Sequence, residues 1–599
     1  MIKDLTKEQV TEKAAFKFFK SLGYSDDQAL AMTMMDLSLD GAGFPELVEA
    51  YGKLKKADLK PFSAFFAEYA FDREKLIKDG LYKPKEIIYE DQENVKPKPL
   101  FGGLFDRKGK GLAKGNKMYG VAKASAAPLT SQPQGVYMAS AMEDVLPSPE
   151  PIEPIMPDVS IEDIRTDTYE TIEEKGMKET AVSPTATFRT TYNTAACTVL
   201  LSNIRNDSRT SHSMVRTEEL LNYLSYDLKQ PEEELFEVTK EFKQNAEKTV
   251  LFLGIQGKRV KPQAQNICFL LDVSGSMSSR SESMVMTMMA VLSQMKQGDT
   301  FSLVTYSSND KVVVNGLKLQ EDPANGSSKD VDELLYIIMK EVYISGFTNG
   351  SAGINKAYEI VEQNKVKSGV NRVIILTDGD LNFGVKDKDG LKGLIEKKKQ
   401  GGAYFSAVGT GIYNLMDDKL EALAKNGNGN YFVVNAQKDV EKNIVKNYES
   451  LVFPIAKNVK AQVEFNPAAV KRWKLIGYEN RMLSHEDFRD DTVIAEPFGS
   501  GSCCIALFEL EMNEGGRVES SLKYQDVTLK ENDELATLTL RYETLDSGEF
   551  KELTFPVERD PGASVNIDKA IACAVLAEKL REDNPDALTR QAFVRLMED

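Results

Sequence analysis

Histidine is almost missing from this chain of 599 residues: His212 and His485 are the only two. That argues against a Cys/His zinc centre and against a histidine-based hydrolase. Cysteine is scarce as well. The five are Cys197, Cys268, Cys503, Cys504 and Cys573, with no CxxC and an odd count. This is no disulfide framework, and it points to a reducing compartment. The single tryptophan, Trp473, is expected in a core. No run of 18 apolar residues occurs, and mean hydropathy is −0.35, so no membrane span is expected. The start, MIKDLTKEQVTEKAAFKFF, has no apolar core of a secretory signal, which makes the expected location cytoplasmic. Positive charge is in deficit: 75 Lys and Arg against 92 Asp and Glu, a net charge of −17. Such a chain repels a phosphate backbone, so no nucleic-acid partner is expected.

What is present is globular: 42% apolar and 28% charged residues. Residues 1–91 read as a helical domain. Thr6-Lys7-Glu8-Gln9 and Ser25-Asp26-Asp27-Gln28 are capping boxes, and Val10, Ala14, Phe18 and Leu22 fall on one face of a first helix ended by Gly23. Residues 92–185 carry ten of the chain's 22 prolines and read as a long disordered linker. Its basic piece, FGGLFDRKGKGLAKGNK at 101–117, fails as a P-loop because five residues, not four, lie between Gly103 and Gly109 and Gly111 replaces the Ser/Thr. Residues 186–263 include a short helix near 215–227 and strand-like runs, which are expected to pair with a β-rich region at 453–560 as a flanking sandwich. Residues 561–599 read as two helices around Asn584-Pro585.

Between them, residues 264–452 alternate apolar strands (NICFLLD, TFSLVTY, RVIILTD, AYFSAVG, NYFVV) with amphipathic helices. That predicts an α/β, doubly wound parallel sheet covered on both faces. The first strand ends in Asp272-Val273-Ser274-Gly275-Ser276-Met277, and RVIILTD ends at Asp378. Strand ends at the carboxyl edge are where open α/β sheets bind ligands. SGFTNG places Thr348 in a glycine-rich loop between them. Asp272, Ser274, Ser276, Thr348 and Asp378 form an all-oxygen set, which suits Mg²⁺, Mn²⁺ or Ca²⁺. An open coordination position would accept a carboxylate from a protein partner. Three decoys fall away. Asp378-Gly379-Asp380-Leu381-Asn382 lacks the glycine of a calcium loop, since Phe383 stands there; Ser274 replaces the second Asp of a haloacid-type phosphatase; and Cys503-Cys504 sits in an apolar strand.

DVSGSM, the later Thr348 and TDG at a strand end resemble the metal-ion-dependent adhesion site (MIDAS) of the von Willebrand factor type A (VWA) domain, whose fold is Rossmann-like. VRTEELLNYLSYD, GVNRVIILTDGDLNFGV, NGNGNYFVV and VEFNPAAVKRWKLIGYENR resemble a bacterial subgroup with a distinctive segment before this domain and a β-rich region after it. The resemblance covers about 185–560. It implies that Ser274 and Ser276 ligate the metal, that Asp272 and Asp378 ligate it or hold its waters, and that Thr348 does either according to state. It implies a protein-binding module, not an enzyme, with a magnesium-type cation and an acidic partner residue. Two departures stand beside it: no export signal, and a C-terminal region that ends early. A second reading, on family analogy alone, is an auxiliary subunit that couples the domain to an ATPase, as in chelatase-like systems. A third is a metal-assisted hydrolase, for which no general base is evident. Oligomeric state is not legible.

Overall fold

The computed structural model describes residues 6–36, 45–54, 60–82, 167–244, 249–323, 328–344, 346, 348–380, 388–399, 401–513, 533–559, 561–582 and 585–598. The chain divides into two compact units, residues 1–82 with 161–599 and residues 83–160. All the described residues belong to the first. The Gly-rich piece 101–117 and most of the expected linker lie outside them. Its last part is built into the fold: Lys178–Glu179 pairs with Val470–Ile476, and Thr168 bridges Met416. Backbone pairing, with Ile172 buried, anchors a segment whose sequence shows no periodicity.

Six strands form the α/β sheet, in the order Tyr431–Val434, Tyr404–Thr410, Gly369–Thr377, Ala264–Asp272, Thr300–Tyr306 and Asp310–Lys318. The first five are mutually parallel. The last is an antiparallel edge that the sequence reading missed; of its nine residues only Val314 is buried, so it carries little apolar signal. The central strand feeds both faces by its period of two: Ile267, Phe269 and Leu271 enter one core, Cys268 and Leu270 the other. Helices Ser281–Gln294 and Lys329–Glu341 cover the first face; Gly350–Gln363 and Asp417–Asn426 cover the second.

The N-terminal helices continue the first of these cores. Phe18, Phe19, Tyr24, Phe62 and Phe65 join Met288, Met289, Leu335 and Ile338 in one apolar cluster. The Tyr24 hydroxyl donates to the Met289 carbonyl (2.8 Å), the Gln28 amide to the Ser328 carbonyl (3.2 Å), and Asp332 accepts the Ser63 N–H (3.0 Å). Both capping boxes form. The expected first helix is two, Lys7–Thr11 and Ala14–Ser21, because Lys13 is extended (φ −62°, ψ 145°). The break rotates the second piece, so Ala15, Phe18 and Phe19 are buried and Ala14 faces solvent.

A β-sandwich flanks the α/β unit. One sheet runs Lys178–Glu179, Val470–Ile476, Cys503–Met512, Thr249–Gly257, Phe236–Gln244; the other runs Met482–Leu483, Thr185–Arg189, Pro454–Phe465, Glu534–Glu543, Phe550–Glu558. Strands from before residue 264 therefore pair with strands from after 452: Leu253 lies opposite Ala506, and Ala186 opposite Val463. Leu251, Leu253, Val463, Trp473, Phe508 and Leu538 share the core between the sheets. The alternate residues Val250, Phe252, Ile505 and Leu507 face a helical layer that includes Ala195–Arg205 and Val565–Leu580.

A buried ionic cluster joins these parts. Arg216 donates to Glu219 (2.7 Å) and to Asp417 of the α/β unit (2.7 Å). Arg481, from the sandwich, pairs with Glu218 (3.4 Å), Glu219 (3.5 Å), Glu421 and Glu496 (2.5 Å). Burial of a guanidinium is tolerable only with such company. Two of the distinctive sequence segments, VRTEELLNY and IGYENR, thus meet each other.

Candidate metal centre

The strands Ala264–Asp272 and Gly369–Thr377 are neighbours, with Leu271 opposite Leu376. The chain leaves the first strand towards one side of the sheet and returns on the other, so their shared carboxyl end is the topological switch point, the usual ligand crevice of such sheets. Asp272 and Asp378 project from it, and both are at most 1% exposed.

Asp272 shapes the turn that follows it. One oxygen accepts the Ser274 N–H (3.0 Å); the other accepts the hydroxyls of Thr377 (2.7 Å) and Tyr306 (3.1 Å). Burial, and after it the charge of Asp378, pushes its carboxyl up to about 6, against the pull of the hydrogen bonds from Ser274 and Thr377. Ser274 is extended and buried, and Gly275–Arg280 forms a 3-10 turn that leads into the helix Ser281–Gln294. The turn brings the Ser274 and Ser276 hydroxyls to 3.2 Å, with Ser276 open to solvent.

Thr348 arrives on a second loop. The Gly275 N–H donates to the Gly346 carbonyl (3.2 Å), and the Asn349 N–H to the Ser307 carbonyl (2.8 Å), which seats this loop against the first. Gly346 has φ +84°, and a Cβ there would lie 2.7 Å from the Ser308 hydroxyl. Thr348 itself is buried. Hydrogen bonds thus connect Asp272, Ser274 and Ser276 directly, while Thr348 joins through its backbone loop.

Asp378 is reached through a residue that the sequence reading missed. Arg280 donates to Asp378 Oδ2 (2.6 Å), to the Ser276 carbonyl (2.8 Å) and to the Tyr413 carbonyl (2.5 Å). The other Asp378 oxygen accepts the Asp380 N–H (3.0 Å). The sequence did hold a signal: an arginine at the start of a helix, where the dipole disfavours a cation, needs an anion nearby. Thr377 and Tyr306, which hold Asp272, were missed too; each ends a strand beside it.

The guanidinium of Arg280 pairs with Asp378, while Asp272 is held by a backbone N–H and two hydroxyls, so the two buried carboxylates outnumber the one cation beside them. With three hydroxyls alongside, the donor set fits a hard divalent cation. Among the described residues, no group of three or more His, Cys, Asp or Glu is arranged to hold a metal. Of the residues set aside earlier, His212 is 3.6 Å from Glu174, and burial pushes the Cys504 thiol up to about 11. Part of the rejected calcium-loop segment, from residue 381, lies outside the described residues.

The sequence profile of the von Willebrand factor type A domain matches residues 266–447; a further von Willebrand factor profile matches 163–250, and that of the C-terminal region of "Uncharacterized protein YfbK" matches 450–597. The chain is 28% identical over 435 residues to YfbK of Escherichia coli, covering 69% of this chain and 74% of that one. It is 26% identical over 223 residues to the inter-alpha-trypsin inhibitor heavy chain H3 of Mesocricetus auratus, of which it spans only 24%, with 36% of this chain covered. Among solved structures, a von Willebrand factor type A protein from Catenulispora acidiphila aligns at 13% identity and a TM-score of 0.35, over 57% of this chain and 78% of that one. The ArnB paralog VWA2 from Sulfolobus acidocaldarius aligns at 13% identity and a TM-score of 0.28, over 58% and 83%. With the profile match falling on the doubly wound sheet and the flanking matches on the sandwich around it, the chain carries a von Willebrand factor type A domain within a YfbK-like protein.

Proposed function

We propose that this protein is a non-enzymatic, metal-dependent binding module that captures a protein partner at the carboxyl edge of its α/β sheet. The observation that carries the reading is the meeting of Asp272, Ser274, Ser276, the Thr348 loop and Asp378 at one switch point. Ser274, Ser276 and Thr348 would hold the cation, and Asp272 and Asp378 would hold it or its waters. Mg²⁺ is the first choice of ion, with Mn²⁺ or Ca²⁺ as the others. A cation bound there offers a positive coordination position to a partner's carboxylate.

The chain's own residues prepare the place. Asp272 orients the Ser274 backbone, and Ser276 stands exposed beside Ser274. Tyr413, whose carbonyl accepts from Arg280, is 38% exposed. Tyrosine is enriched at binding hot spots because it pairs a rigid ring with a polar tip.

The test is Mn²⁺ titration of the full chain by calorimetry. Ser274→Ala with Ser276→Ala should weaken binding at least about tenfold, a loss of ~1.4 kcal/mol, and leave the circular dichroism unchanged. Undiminished affinity in the double variant sinks the ligand assignment. Capture of a partner in Mg²⁺ that EDTA or the double variant abolishes then tests the bridging role.

A further inference from the structure

Arg280 is 8% exposed and stands at the N-terminal cap of Ser281–Gln294. Both the burial and the helix dipole work against a cation there. The surroundings nonetheless keep room for it. Gly411 has φ +78°, and a Cβ at that position would lie 2.7 Å from Arg280 Nε. The guanidinium ties three loops: the Ser276 turn, the Asp378 strand end and the Tyr413 loop. It also occupies one oxygen of Asp378 and offsets one of the two carboxylate charges.

We propose that Arg280 is a fixed internal counter-ion that positions Asp378 and tunes the metal site; this rests on the metal reading above. Asp272 and Asp378 alone would neutralise a divalent cation. With Arg280 present, the loaded site keeps one net positive charge. Metal affinity is thereby lowered, and an anionic ligand from outside is what restores neutrality. Arg280 is thus a positioning residue that makes metal and acidic ligand bind cooperatively.

The experiment compares the full-length wild type, Arg280→Lys and Arg280→Met by Mn²⁺ calorimetry, with thermal unfolding to verify the fold. Removing the charge should tighten Mn²⁺ by about tenfold or more, since a cation within a few ångströms repels it in a buried setting. Arg280→Lys keeps the charge and should stay within about threefold of wild type. With Mn²⁺ saturating, acetate should lower the water-proton relaxation of the wild type and of Arg280→Lys more than that of Arg280→Met. A merely structural brace gives the opposite sign: Arg280→Met loosens the loops and weakens Mn²⁺, which overturns the proposal. Unchanged affinity in Arg280→Met overturns it as well. If no chain binds Mn²⁺, the metal reading itself falls, and this inference with it.

Discussion

At the scale of single residues, the chemistry turns on Asp272. It is fully buried and receives three hydrogen bonds, yet desolvation dominates and its carboxyl titrates at about 6. In the unfolded chain the same group titrates at about 4. Between these values the folded state holds the extra proton. Without metal, the group's contribution to stability is therefore complete below about pH 4 and is lost as pH rises through about 6. The difference amounts to about 3 kcal/mol at most. Asp272→Asn carries no such titration, and the remaining carboxylates cancel between the two chains. In EDTA, the thermal midpoint of Asp272→Asn relative to wild type should rise between pH 4 and 6 and stay level above. A relative midpoint that falls across that window would show that the folded state favours the anion.

At the scale of elements, the sequence is most readable where burial is most complete. NICFLLD and TFSLVTY are continuous apolar runs because parallel strands are covered on both faces, and their observed bounds, Ala264–Asp272 and Thr300–Tyr306, follow them closely. The meeting of Asp272 and Asp378 at one sheet edge was readable for the same reason: strand ends in a doubly wound sheet share an edge, and DVSGSM and TDG fall there. The edge strand Asp310–Lys318 was not, because one buried valine makes no pattern. Arg280 at a helix start signalled the need for an anion, but not which one, since its partner Asp378 lies 98 positions away and only the fold brings them together. The segments VRTEELLNY and IGYENR were recognisable, but not as partners. Their contact depends on Gly477 at φ +75°, where a Cβ would lie 2.8 Å from the Glu218 nitrogen, and on Tyr478 at φ +64°, whose N–H donates to Glu218 (3.0 Å). Gly477→Ala combines left-handed strain with a backbone clash, each on the order of 1 kcal/mol or more. It should lower the thermal midpoint by several degrees, while Gly548→Ala, left-handed but with no atom closer than 4.0 Å, should cost less. Equal losses in the two variants would mean that the contact with the helix Thr217–Tyr223 is not tight.

At the scale of the whole molecule, the N-terminal helices pose the clearest choice. An amphipathic face looks the same in sequence whether it closes a domain of its own or caps another. Here it caps another. Phe62 and Tyr51 lie 5.3 Å and 5.0 Å, centroid to centroid, from Tyr336, and the buried hydrogen bonds of Tyr24, Gln28 and Ser63 all end on the α/β unit. Deleting residues 1–82 uncovers Tyr336, Leu335 and Met289 together and leaves Asp332 without the Ser63 N–H. A contiguous apolar patch of that kind binds hydrophobic dyes and promotes association. The truncated chain should bind anilinonaphthalene sulfonate, melt at a lower temperature and self-associate in sedimentation. The hydrogen bonds that arrange Asp272, Ser274, Ser276 and Asp378 come from other segments, so Mn²⁺ affinity, measured below the truncated chain's melting range, should stay within about threefold of the full chain, less than 1 kcal/mol. An independently folded helical domain gives a different result: no dye binding and an unchanged main transition. Stability loss with retained metal affinity would assign these helices to the packing of the α/β unit; loss of metal binding as well would show that the cap also holds the sheet edge in its working shape.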